Sequence, residues 1–107
     1  MRLPVALLLL SFAVQAAPET VAVTYKVSKE NEAALQRVLD DHWATCRKLG
    51  LVRGGRELYR GDGFFLEIFT WKDASIPDDP PAPVKALWDR MNKLSSKLDF
   101  EAVEKVH

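Results

Sequence analysis

Phe64-Phe65-Leu66-Glu67-Ile68-Phe69-Thr70-Trp71 is the stretch that decides the fold. Alternation splits it into two faces, Phe64, Leu66, Ile68 and Thr70 against Phe65, Glu67, Phe69 and Trp71. Only Glu67 and Thr70 are not apolar, so the strand is expected at the centre of a sheet covered on both sides. Just before it, Gly61-Asp62-Gly63 is hairpin chemistry, which makes Glu57 to Arg60 an antiparallel neighbour. Leu51 and Val52 open that neighbouring strand, and Gly54-Gly55 interrupts it as a bulge or a close backbone approach.

Further outward, Val21, Val23, Tyr25 and Val27 alternate with smaller or polar residues and form one face of a first strand. Ser28 then stands as an N-cap, and Ala33 to Leu49 reads as a helix. Leu35, Val38, Leu39, His42, Cys46 and Leu49 make its apolar stripe. Gly50 ends it after Arg47 and Lys48. Beyond the central strand, Ile76 to Pro83 is a stiff loop with four prolines. Val84 to Leu98 is a second helix with Leu87, Trp88, Met91 and Leu94 in register, and Asp99 to Val106 a last strand. The order β-α-β-β-α-β is the ferredoxin-like split unit, an α+β fold with two helices on one face of a four-stranded antiparallel sheet. The other sheet face is expected to carry Phe65, Phe69 and Trp71, and a second copy packed sheet to sheet would cover them.

Residues 1–16 read differently. Arg2 precedes an apolar run through Val5 to Leu10 and on to Val14, and small residues follow. This is the pattern of a secretory signal peptide cleaved before Ala17, too short to span a membrane. A buried helix is the alternative. The expected mature domain, 17–107, is a single unit with a modest core, exported to the periplasm or beyond, with no membrane association after cleavage. Its charge is nearly balanced, because the whole chain has 15 basic and 15 acidic residues and the leader removes only Arg2. No basic face follows, and nucleic acid is excluded as a partner. Cys46 is the single cysteine, so an internal disulfide is impossible. A small exported domain without one commonly gains stability by oligomerising, which points to a homodimer.

The chain resembles the dimeric α/β-barrel proteins related to antibiotic-biosynthesis monooxygenases. The similarity rests on His42-Trp43, Arg47-Lys48-Leu49-Gly50-Leu51-Val52, Leu58-Tyr59-Arg60-Gly61, Phe65 through Asp73 and Leu87-Trp88. It implies the dimeric barrel and, among the activities of the group, cofactor-independent oxidation of an aromatic or quinone-like substrate. Haem-degrading members have a first-strand asparagine and a second-helix histidine that this chain lacks, although Trp71 matches their tryptophan. Haem binding or breakdown therefore ranks below a non-catalytic dimer that binds a ligand or partner protein.

Two titratable residues are candidates for catalysis. His42 lies in register with Leu35, Leu39 and Cys46, where an imidazole could act as acid or base or simply bond a carbonyl. Glu67 stands among Phe65, Phe69 and Trp71, where burial would raise its pKa unless Arg56, Arg60 or Lys26 neutralises it. The two are read as lying on opposite sides of the sheet. Trp43, Phe65, Phe69, Trp71 and Trp88 are the candidate lining of a pocket for a small apolar or aromatic ligand. His42 and His107 are the only histidines, so no metal site is expected, and no phosphate loop or nucleophile elbow is present.

Overall fold

The structure is a computed structural model that describes residues 17–106; residues 1–16, over which a signal peptide is expected, and His107 lie outside the described residues. The elements are β1 (Glu19–Lys26), α1 (Glu32–Lys48), β2 (Val52–Gly61), β3 (Phe64–Trp71), α2 (Ala82–Leu94) and β4 (Lys97–Val103). Short 3-10 turns at Lys29–Asn31 and Ile76–Asp78 lead towards the two helices. The sheet order is β2-β3-β1-β4 with every pairing antiparallel, the ferredoxin-like arrangement expected from the sequence. Among the described residues no helix is long and apolar enough to cross a membrane.

The register of β1 on β3 decides which face is which. Val21 opposes Phe69, Val23 opposes Glu67 and Tyr25 opposes Phe65. Directly opposed residues share a face, so the odd-numbered residues of both strands lie together. These are the buried ones, packed with Leu35, Val38, Leu39 and Cys46 of α1 and Val84, Leu87 and Met91 of α2. Phe65, Phe69 and Trp71 therefore lie under the helices and not on the uncovered face, which corrects the sequence-based assignment. The uncovered face has Ala22, Leu66 and Ile68, with Tyr59, Phe64 and Val103 exposed. Thr20 and Thr70 join it across the β1–β3 pair through a hydroxyl–hydroxyl hydrogen bond of 2.7 Å.

Three boundaries also differ from expectation. The helix after Ser28 is preceded by the 3-10 turn, and the Ser28 side chain makes no capping hydrogen bond. Leu49 falls just past α1 and is exposed rather than part of its stripe. The second helix ends at Leu94, because Ser95 is extended and the Ser96 amide donates to Lys26 O of β1 at 2.8 Å. That bond starts β4 at Lys97, so Leu98 is a strand residue.

Other local signals hold. Gly50, at φ 69°, closes α1: its amide reaches Arg47 O at 3.0 Å and the Leu51 amide reaches Cys46 O at 2.9 Å. This is the Schellman arrangement, which satisfies carbonyls the helix leaves open. Gly54-Gly55 is a bulge, with the β2–β3 register shifting between Arg53 and Glu57.

Candidate functional site

Successive turns of α1 place His42 and Cys46 one above the other on its buried side. α2 contributes Trp88, Met91 and Asn92 on the side that meets α1 and the sheet. β3 contributes Phe69 and Trp71 from below, and β1 contributes Glu19, Val21 and Val23. With Pro77 of the proline loop and Leu98 and Phe100 of β4, these residues enclose a cavity of about 380 Å³. Its wall is mainly apolar, and Glu19, His42 and Asn92 are its polar side chains. Phe100, at 69 % exposure, stands where the cavity opens.

The aromatic groups pack edge to face. Phe69 and Trp71 have ring centroids 4.9 Å apart at 73°, and Trp71 meets Trp88 at 6.3 Å and 71°. His42 lies 6.2 Å from Phe69 and 6.3 Å from Trp71, again near perpendicular. Such pairs set the positive edge of one ring against the negative face of another, which fixes the rings as a rigid wall.

His42 is 2 % exposed. Its Nε2 accepts a hydrogen bond from Trp88 Nε1 at 2.9 Å and lies 3.5 Å from Cys46 Sγ. Its Nδ1 is buried and has no hydrogen-bond partner among the described residues. Burial, aided by the positive charge of Arg56, lowers the imidazole pKa to about 4. The ring is therefore neutral at pH 7. The Cys46 thiol is pushed up to about 12 by burial and by the nearby Glu67 carboxylate.

Glu67 lies on the same side of the sheet as His42, not the opposite one. It is fully buried at 0 % exposure. Tyr25 OH donates to Oε1 at 2.8 Å and Arg56 Nη1 donates to Oε2 at 3.3 Å. Burial raises the Glu67 pKa, while Tyr25 and Arg56 pull it back. Arg56 also reaches Leu39 O at 3.2 Å and Asp40 at 2.9 Å, and its guanidinium lies 5.9 Å from the Trp43 ring centroid. Of the candidate ion-pair partners, Arg56 holds Glu67, and Arg60 pairs with Glu32 instead.

Of the sequence-based pocket residues, Phe69, Trp71 and Trp88 border the cavity together with His42. Trp43 is set against Phe69 and Arg56 outside it. Phe65 lines a separate shallow depression with Gln36, Leu58 and Arg60. Glu67 is not among the cavity residues. Sequence reasoning missed Glu19, Asn92 and Phe100. Glu19 pairs directly with Trp71, so its place on the helix side followed from the β1–β3 register alone.

Comparison with solved structures identifies the architecture. A variant of SnoaB, a cofactor-independent oxygenase from Streptomyces nogalater, superposes with a TM-score of 0.70 at 13 % identity, covering 86 % of this chain and 96 % of that one. The chain has the fold of the antibiotic biosynthesis monooxygenases. Rv0793 from Mycobacterium tuberculosis shares this monooxygenase fold with a TM-score of 0.70, at 14 % identity over 85 % of this chain and 97 % of that one. A candidate antibiotic biosynthesis monooxygenase from Caulobacter crescentus gives 0.71 at 16 % identity, over 86 % and 92 %. The monooxygenase fold is thus shared along nearly all of each neighbour, at identities that speak for architecture alone. No protein-family model matches the sequence, and no curated protein matches it.

Proposed function

We propose that the cavity takes up a small, mainly apolar aromatic molecule and that the protein oxidises it with molecular oxygen, without a cofactor of its own. The observation that carries this reading is the wall formed by Phe69, Trp71, Trp88 and His42 around one cavity of about 380 Å³, a size and lining suited to a planar ring system. The shared fold of SnoaB, itself a cofactor-independent oxygenase, supports the reaction class. A substrate methylene that reacts with O2 becomes a carbonyl, and the second oxygen atom leaves as water. The substrate supplies the electrons. The protein's part would be to orient the ring against the fixed aromatic wall and to exclude water. Of the two sequence-based candidates for moving the proton, only His42 borders the cavity, and Glu19 is the carboxylate beside it.

Anthrone, whose single methylene would become the second carbonyl of anthraquinone, tests this reading in an oxygen electrode. Uptake above the uncatalysed rate, reduced by Trp71→Ala, is the expected result. Binding without uptake would leave a non-catalytic ligand carrier. That second reading has its own support: the His42 lone pair already accepts from Trp88, and both Glu67 oxygens are engaged.

The working unit in this proposal is a homodimer. The uncovered face presents Phe64, Leu66, Ile68 and Tyr59, and a second sheet would remove them from water. The signal peptide read over residues 1–16 would place that dimer in the periplasm or outside the cell, and the mass of the mature protein from an exported fraction tests it.

A further inference from the structure

We infer that the cavity selects a positively charged ligand, an aromatic ring bearing a protonated amine, whose ammonium group pairs with the Glu19 carboxylate. The inference rests on the ligand-cavity reading above and adds to it the charge of the molecule. Glu19 opposes Trp71 in the β1–β3 pair, so its side chain leaves the sheet on the same side as the Trp71 ring. Phe100 opposes Val23 in the β1–β4 pair and brings a further ring to that side from the edge strand. Both border the cavity, as do Phe69 and Trp88. No lysine or arginine lines it. Burial keeps His42 neutral at pH 7, and Asn92 carries no charge. Among the described residues that line the cavity, Glu19 is therefore the one charged side chain, and its carboxylate has no ion-pair partner among the described residues. Two effects then favour a cation. The faces of aromatic rings are negative and attract an ammonium group. A ligand that fills the cavity also displaces water from the carboxylate, and an uncharged molecule leaves that charge without compensation, whereas an ammonium group supplies a charge-assisted hydrogen bond. An anionic ligand of the same shape would be repelled by Glu19.

Titration calorimetry at pH 7 tests the proposal with 1-naphthylmethylamine and 1-naphthalenemethanol. The two share a ring system and differ in carrying an ammonium or a hydroxyl group. The amine is expected to bind wild type about tenfold tighter than the alcohol. Glu19→Gln is expected to bring the amine down to the affinity of the alcohol, with the alcohol bound as before. Glu19 is half-buried at the start of β1, and an unchanged circular dichroism spectrum of the variant shows that the fold is kept. The comparison of the two ligands on wild type needs no variant at all. Equal affinities there, or a tighter alcohol, would leave the cavity a ligand site and sink this inference. A preference for the amine that survives Glu19→Gln would remove Glu19 as its source and overturn the assignment. If neither compound binds, the cavity reading fails and takes this one with it.

Discussion

Tyr25 donates its phenolic proton to Glu67 Oε1 at 2.8 Å across adjacent strands, although Tyr25 is opposed to Phe65 and Glu67 to Val23. The bond is diagonal, within reach because the tyrosine side chain is long. With Arg56 on the other oxygen, both carboxylate oxygens have a donor. Tyr25→Phe removes one donor and keeps the ring. It is expected to destabilise the domain by about 1–3 kcal/mol in urea unfolding and to push the Glu67 pKa further up. Arg56→Met leaves a buried charge without its cation and should cost more, about 3–5 kcal/mol. If both variants unfold at the wild-type midpoint, the network does not stabilise the core.

The imidazole of His42 sets a pH window. Its pKa falls from about 6.5 when unfolded to about 4 when folded, so the unfolded chain binds the extra proton between these values. The stability linked to His42 is fully present above pH 6.5 and is lost as the pH falls to about 4. Its size is about 3 kcal/mol. Glu67, shifted upward, contributes with the opposite sign in acid, because its neutral form is favoured in the fold. Subtracting the stability curve of His42→Gln from that of wild type removes the Glu67 contribution. The remaining difference should slope between pH 6.5 and 4 and be flat above.

Cys46 is fully buried and its thiol pKa is raised to about 12, so almost no thiolate forms near neutrality. An aromatic disulfide reagent should leave the native protein unmodified at pH 8 and titrate one thiol per chain in denaturant. Rapid modification of the native protein would show that α1 opens locally.

On the uncovered face, Leu66→Lys places a charge at the centre of the sheet without touching the core. Sedimentation is expected to give a dimer for wild type and a monomer for the variant, with unchanged circular dichroism. A wild-type monomer would remove the sheet-to-sheet arrangement.

The order of strands and helices was legible because each element carries a period or a punctuating glycine. The assignment of faces was not. β3 is apolar on both sides, so polarity could not say which side meets the helices. β1 contained the answer, with valines and Tyr25 on one side and Thr20, Ala22 and Thr24 on the other. Using it requires the β1–β3 register, which no local pattern states. The same error put His42 and Glu67 on opposite sides of the sheet. The end of α2 was missed because Leu98 continues the helical spacing, whereas Ser96 is captured by the edge of β1. The cavity residues Glu19, Asn92 and Phe100 come from separate elements, and only the tertiary fold brings them together.

The bulge at Gly54-Gly55 has a consequence for how the chain can change length. Arg53 opposes Thr70 and Glu57 opposes Ile68, so β2 has two residues more than β3 over that interval. Two is the period of a strand, and the segments on either side of the bulge stay in phase. Excising Gly54 and Gly55 together would leave an uninterrupted ladder with every side chain on its present face, whereas excising one alone would leave a single extra residue, which a one-residue bulge absorbs with a local bend and added twist. This edge of the sheet is a joint at which the chain can change length while the ladders on either side keep their pairing.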